Sequence, residues 1–129
     1  MQSFVLVMRR CPVAAALQKY FQEYSDEGSL SVVCENDYNR ALDTISKLQA
    51  TAALIEVAEC GPGNLTACLT LCQRLRRCVP DCGILLMCPE DEEDVVAAIL
   101  QSKRNGLFDD FVFYDASFEY TALKLLTMR

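Results

Sequence analysis

The chain has 129 residues, of which 52% are apolar, so a single domain can form a core without metal ions or disulfide bonds. A net charge of −6 predicts a surface that repels phosphate, which argues against direct nucleic-acid binding by this domain. No apolar run reaches the roughly 18 residues of a membrane span. Arginines follow the apolar N-terminus instead of preceding it, so we expect a cytoplasmic protein without a secretion signal.

Five short apolar segments have the pattern of strands buried in a parallel sheet. In chain order they are residues 3–8, 30–35, 52–57, 82–88 and 110–114. After each of them, apolar residues recur at the spacing of a helix with one buried face. The first helix is predicted to begin at Pro12, and Asn36 or Asp37 is predicted to cap the second. The predicted buried faces of the second, fourth and fifth helices include Leu48, Leu100 and Phe118.

Strict alternation of strands and helices predicts an α/β domain over residues 1–129, with a parallel sheet between two layers of helices. Right-handed crossovers and five repeats favour the flavodoxin-like (βα)5 three-layer sandwich, with strand order 2-1-3-4-5. In this fold the functional groups lie in the crevice beyond the carboxyl ends of the strands. The sequence therefore directs attention to the residues at those ends.

The crevice residues follow from the predicted strand ends. Strand one is followed by Met8, Arg9 and Arg10. Strand three ends near Glu56 and continues into a glycine-rich loop that holds Glu59 and Cys60. Strand four ends at Cys88, and strand five ends at Tyr114.

Two segments carry a resemblance to a known family. "ILLMCPEDEEDVVAAIL" (84–100) and "GLFDDFVFYD" (106–115) are similar to the fourth strand, fourth helix and fifth strand of the receiver domains of bacterial two-component response regulators. "LCQRLRR" (71–77) resembles the end of the third helix of the family. The resemblance extends over residues 3–129. It implies a phosphorelay signalling domain that receives a phosphoryl group from a partner.

The residues that perform this chemistry in receivers are replaced in this chain. Receivers, which this chain resembles in architecture, carry two acidic residues after strand one, and the oxygens of these residues hold Mg²⁺. In this chain the same place is occupied by Met8-Arg9-Arg10. The phosphoryl acceptor is an aspartate at the end of strand three. Glu56 is the nearest match, and the loop length leaves Glu59 or Cys60 open as alternatives.

The two remaining receiver positions also differ. The serine or threonine after strand four is replaced by Cys88, a weak hydrogen-bond donor. The lysine–proline pair after strand five is replaced by Tyr114-Asp115. Because phosphoryl transfer depends on positioned positive charge, chiefly metal, the resemblance implies a pseudo-receiver without cofactor, metal or enzymatic activity.

The arginines after strand one suggest a hypothesis for the crevice. Arg9 or Arg10 would occupy the place of the magnesium ion and pair with Glu56 or Glu59, holding the crevice in one state. The alternative is that the arginines are solvated and that Glu56 faces water.

The eight cysteines are interpreted mostly as small buried apolar residues, because the chain lacks an export signal. Cys68 and Cys72, and also Cys78 and Cys82, have a spacing found in zinc sites, but the chain has no histidine. Reduced, metal-free thiols are therefore expected.

The predicted function is a signal-transduction and protein-interaction module that regulates transcription through an attached or partner effector. The alternative is a flavodoxin-like domain that binds a small ligand or metal, or that carries a reactive thiol such as Cys60. By the resemblance, Phe111 would be the switch aromatic, and a homodimer would form through the face of helix four, strand five and helix five. The face residues are Lys103, Arg104, Asp109, Glu119 and Lys124.

Overall fold

The computed structural model describes residues 2–24, 30–58, 61 and 63–128. Five strands alternate with five helices along this part of the chain. The strands are β1 (Gln2–Val7), β2 (Leu30–Glu35), β3 (Ala52–Glu56), β4 (Gly83–Cys88) and β5 (Asp110–Phe113). The helices are α1 (Cys11–Tyr24), α2 (Ala41–Leu48), α3 (Leu65–Cys78), α4 (Glu93–Arg104) and α5 (Phe118–Thr127).

The strands form one parallel sheet with the order β2-β1-β3-β4-β5. This confirms the predicted flavodoxin-like architecture. All residues of β3 and β4 are buried, as expected for central strands that are covered on both faces. The carboxyl ends of β1 and β3 lie side by side, because Val7 is paired with Ile55. The residues that follow these two strands therefore meet at one edge of the sheet.

Two apolar cores lie on opposite faces of the sheet. One face carries Val5, Ile55 and Ile84 and packs against α2, α3 and α4. The other carries Leu6 and Leu54 and packs against α1 and α5. Alternation of the side chains along each strand divides the apolar residues between the two cores. Three layers result, with the sheet in the middle.

The helices differ from prediction in details. Neither Asn36 nor Asp37 caps α2: the helix begins later, at Ala41, and Asp37 accepts a hydrogen bond from the Asn39 amide in the preceding turn. Leu48, Leu100 and Phe118 were predicted to be buried but are exposed, so the apolar spacing of α2, α4 and α5 overestimated their buried faces. Within the described ranges no helix is long and apolar enough to cross a membrane.

Candidate functional site

The carboxylate of Glu56 is buried at the mouth of the sheet. The residue is only 2% exposed, so it does not face water. Its Oε1 accepts hydrogen bonds from the backbone amides of Arg9 and Arg10, at 2.8 and 3.2 Å. Its Oε2 accepts a hydrogen bond from Nε of Arg10, which also makes the two side chains an ion pair. Both oxygens are thus satisfied by the segment that follows β1, as a buried carboxylate requires.

Arg10 supplies the guanidinium that pairs with Glu56, and Arg9 donates its backbone amide to the same carboxylate. The guanidinium of Arg10 lies 4.3 Å from the centre of the Tyr114 ring, a cation–π contact. Nη2 of Arg10 lies 3.5 Å from Sδ of Met87. The Arg10 side chain remains 42% exposed, so the arginine end of the ion pair is in contact with solvent. Glu59 and Cys60 lie outside the described residues, and their part in the site stays a prediction.

Two phenol groups hold the backbone at the end of β3. The Tyr38 hydroxyl donates to the carbonyl of Glu56, and the Tyr114 hydroxyl donates to the carbonyl of Val57. Burial, followed by the negative charges of Cys68 and Glu56, raises the pKa of Tyr38 above its ordinary range, so the phenol stays a donor. This role of Tyr38 was not predicted from the sequence. The available signal was a tyrosine beyond the end of β2 whose buried hydroxyl would need a partner.

Met8 and Cys88 are turned into the core. Met8 is 1% exposed and packs in the core on the α1 side. The thiol of Cys88 is buried and lies 3.6 Å from the carbonyl of Val112. Burial raises the pKa of Cys88 to about 11, so it remains a neutral thiol at physiological pH. Neither side chain offers an oxygen ligand or a strong donor at these receiver positions.

Acidic side chains occupy the other half of the crevice, after β4 and β5. The pKa of Glu90 is raised, first by a hydrogen bond with Asp115 and further by the charges of Asp115 and Asp91. Among the residues that the structure describes, no three His, Cys, Asp or Glu side chains converge as a metal site.

On the α4–β5–α5 face, several predicted contact residues pair within the chain. Asp110 accepts hydrogen bonds from Lys124 and from Lys103, the latter at 3.3 Å. Asp109 pairs with Arg76 at 3.2 Å. Arg104, in the last turn of α4, and Glu119, in the first turn of α5, are both exposed.

Phe111 lies half-buried in this face. Its ring centre is 5.6 Å from that of Phe113, in an edge-to-face arrangement, and 5.8 Å from Nζ of Lys103. These contacts restrain the ring at the position of the predicted switch aromatic.

No protein-family model matches the sequence, and no curated protein matches it. Solved structures match it over almost the whole chain. The BeF3-activated N-terminal receiver domain of Klebsiella pneumoniae RstA is 20% identical, with a TM-score of 0.77 and a match that covers 99% of each chain. A CheY-like response regulator receiver domain protein from Methanospirillum hungatei JF-1 is 9% identical, with a TM-score of 0.77, covering 98% of this chain and 91% of that one.

A DNA-binding response regulator of the LuxR family from Staphylococcus aureus is 10% identical, with a TM-score of 0.77, and the match covers 99% of this chain and 98% of that one. At such identities the likeness establishes the fold and leaves the function to the residues of the site. The chain therefore has the fold of response-regulator receiver domains, which confirms the resemblance predicted from its sequence at the level of the fold.

Proposed function

We propose that this domain is a pseudo-receiver: a non-enzymatic signalling and interaction module that keeps the receiver architecture and has lost phosphoryl transfer. The observation that carries the proposal is the state of Glu56. Its carboxylate lies at the end of β3, where receivers place the acceptor, and both of its oxygens are bound by the Arg9–Arg10 segment. A carboxylate engaged in this way is a poor nucleophile, and a guanidinium stands where the acids for Mg²⁺ would be needed.

Incubation with acetyl phosphate and Mg²⁺ tests this proposal. We expect the intact mass to remain unchanged, while a phosphorylation-competent receiver domain treated in parallel gains one phosphoryl group. A stable, Mg²⁺-dependent gain on this chain would overturn the loss of phosphoryl transfer. If such a gain persisted in Glu56→Gln, the acceptor would be another residue, with Glu59 the first to examine.

The output proposed for the domain is regulation of transcription through an attached or partner effector. Support comes from the receiver fold and from the Staphylococcus aureus neighbour, which is named a DNA-binding response regulator. The acidic charge of this chain supports nucleic-acid contact through an effector and argues against such contact by this domain. Deleting the domain from its gene should change a defined set of transcripts in RNA sequencing. An unchanged transcript profile would contradict a transcriptional output.

The partner surface proposed is the α4–β5–α5 face, with a second copy of the chain as occupant. Tyr120 and Leu123 are 48% and 54% exposed there, and Leu100 is 41% exposed on α4. The exposed Arg104 and Glu119 have opposite charges and lie at opposite helix ends. A two-fold contact would set each against its complement while covering the apolar side chains.

A further inference from the structure

Two exposed thiols outside the crevice lie on the neighbouring elements α1 and β2. Cys11 is the first residue of α1, and Cys34 lies near the end of β2. Both are exposed, in contrast to the cysteines that serve as small apolar residues of the core. Those buried cysteines are Cys68, Cys72, Cys82 and Cys88.

The side chain of Cys34, on β2, contacts the face of α1 that also carries Cys11. The sulfur of Cys34 lies 3.8 Å from the carbonyl of Ala14 and 3.7 Å from Oε1 of Gln18. Cys11, Ala14 and Gln18 are spaced by three and four residues, so they share one face of the helix. Nε2 of Gln18 donates to the carbonyl of Val32 at 2.7 Å and holds this face against β2.

The electrostatics of the two thiols agree with this placement. Burial raises the pKa of Cys34, and the negative charge of Cys11 raises it further. The thiolate form of Cys34 is therefore disfavoured. The sulfur of Cys11 lies 3.8 Å from the carbonyl of Arg9, and Cys11 precedes Ala14 by one helical turn on the same face of α1.

We propose that Cys11 and Cys34 form a reversible disulfide when a hydroperoxide oxidises the domain. The thiolate of Cys11 attacks one peroxide oxygen and breaks the O–O bond, giving a sulfenic acid and hydroxide, or the alkoxide of an organic peroxide. The thiol of Cys34 loses its proton and attacks the sulfenic sulfur, so that an S–S bond forms and water leaves. The two thiols are oxidised, and the peroxide is reduced.

The disulfide would act on the crevice through the chain. Cys11 directly follows Arg9 and Arg10, whose amides hold Glu56. A covalent link from Cys11 to β2 would restrict the same segment. Oxidation would therefore tighten the Glu56 site, giving this domain an input that needs no phosphoryl group.

Hydrogen peroxide on the full chain tests the disulfide. We expect the intact mass to fall by two hydrogen atoms, peptide mapping to recover a Cys11–Cys34 cross-link, and dithiothreitol to reverse both changes. In the oxidised protein, both cysteines should resist alkylation by iodoacetamide. The variants Cys11→Ser and Cys34→Ser should lose the cross-link, whereas Cys78→Ser, which removes another exposed thiol, should keep it.

Several outcomes would overturn the proposal. They are a cross-link that joins other cysteines, a mass loss that persists in Cys11→Ser or Cys34→Ser, and a wild-type chain in which Cys34 remains open to alkylation after peroxide. The alkylation result needs no variant, so it stands even if a substitution impairs folding.

The coupling to the crevice has its own readout. Amide hydrogen exchange at Arg9 and Arg10 should slow on oxidation of the wild-type protein and stay unchanged by peroxide in Cys34→Ser. Exchange that is the same in reduced and cross-linked protein would refute the coupling while leaving the disulfide itself intact.

Discussion

At the scale of single residues, the buried carboxylate of Glu56 determines what the crevice can do. It has two amide donors and one guanidinium and is almost fully removed from water. Removing one partner of such a group leaves the other unsatisfied, which costs more than the pair itself contributes. If the pair is broken, the half-exposed Arg10 can be hydrated by solvent, whereas the buried carboxylate cannot. Leaving the carboxylate without its partner is therefore the more destabilising change.

A double-mutant cycle measures this interaction. Glu56→Gln sets an amide nitrogen against Nε of Arg10, and Arg10→Met removes the cation but keeps a stem over the Tyr114 ring. We expect each change to lower the free energy of unfolding by about 1–3 kcal/mol. Because both remove the same interaction, the double variant should lose clearly less than the sum.

Urea unfolding at neutral pH gives the required free energies. Arg77→Met, at an exposed arginine of α3, serves as the matched control and should shift stability by less than about 0.5 kcal/mol. Strictly additive losses at Glu56 and Arg10 would show that the pair has no coupling energy.

The sequence supported a carboxylate–arginine pair in this crevice but not its details. Glu56 could be placed because a strand end is set by its apolar pattern. The choice of Arg10 over Arg9 depends on how the chain turns after β1, and no local pattern encodes this turn. The two backbone amides that bind Glu56 could not be predicted either, because every residue except proline carries a backbone N–H group.

At the scale of elements, the loop after β3 is fitted to the ring of Tyr38. A methyl group at Gly63 would lie 2.6 Å from Cζ of Tyr38, closer than any real contact. Gly63 also takes part through its carbonyl, which lies 3.3 Å from the thiol of Cys68. Position 63 therefore requires a residue without a side chain as long as the Tyr38 ring keeps its place.

We predict that Gly63→Ala lowers the free energy of unfolding by about 1–3 kcal/mol, because it displaces the Tyr38 ring and its hydrogen bond to Glu56. In a Tyr38→Leu background the same glycine substitution should cost much less, since the obstructing ring atoms are gone. Thermal unfolding of the four proteins checks this. An equal cost in both backgrounds would mean that Gly63 is required for another reason.

Asp110 connects α4, β5 and α5 through Lys103 and Lys124. Partial burial would raise the pKa of Asp110, but hydrogen bonds from Lys124, the Phe111 amide and Lys103 together lower it below its ordinary value. The ionised form is therefore favoured in the folded state. Its contribution is present at neutral pH and is lost as the pH falls through the lowered pKa.

Asp110→Asn should accordingly destabilise the domain by roughly 0.5–1 kcal/mol at neutral pH, the scale of partly exposed pairs. The difference from wild type should shrink as the pH drops below about 4, the ordinary range of aspartate. Chemical unfolding at a series of pH values measures it. A difference that is constant with pH would assign the effect to packing and not to charge.

The elements themselves were the most predictable level. Strand positions followed from apolar runs, and all five agree with the structure to within one or two residues at each end. The first residue of α2 was harder to predict, because the residue types that cap a helix also form turns such as the one at Asp37. The faces of α4 and α5 were predicted too wide, since spacing alone does not tell which edge of a helix contacts the sheet.

At the scale of the whole molecule, the proposed dimer can be tested by exchanging charges. Lys103 and Lys124 already pair with Asp110, so Arg104 and Glu119 are the better probes. Arg104→Glu and Glu119→Arg should each weaken association, and combining them should restore it because the complement is re-formed with opposite sign. Leu123→Ser should weaken association independently of salt.

Light scattering over a range of concentration and salt measures the mass. Each single charge reversal should raise the dissociation constant about two- to fivefold at low salt, and less at high salt, as expected for exposed charges. Lys47→Glu on α2 is the control, on a helix of another face, and should leave the mass unchanged. A monomer at every concentration would remove the dimer from the proposed function.

The way in which Glu56 is held also bears on whether single substitutions could convert this crevice into a metal site. Changing Arg10 alone to aspartate, the kind of acid that holds Mg²⁺ in receivers, would set a second carboxylate against the buried one and remove the cation that pairs with it. Changing Glu56 alone to aspartate would withdraw the carboxylate from amides spaced for the longer side chain. We expect each single change to give a less stable protein, so conversion of this crevice into a metal site would need both changes together.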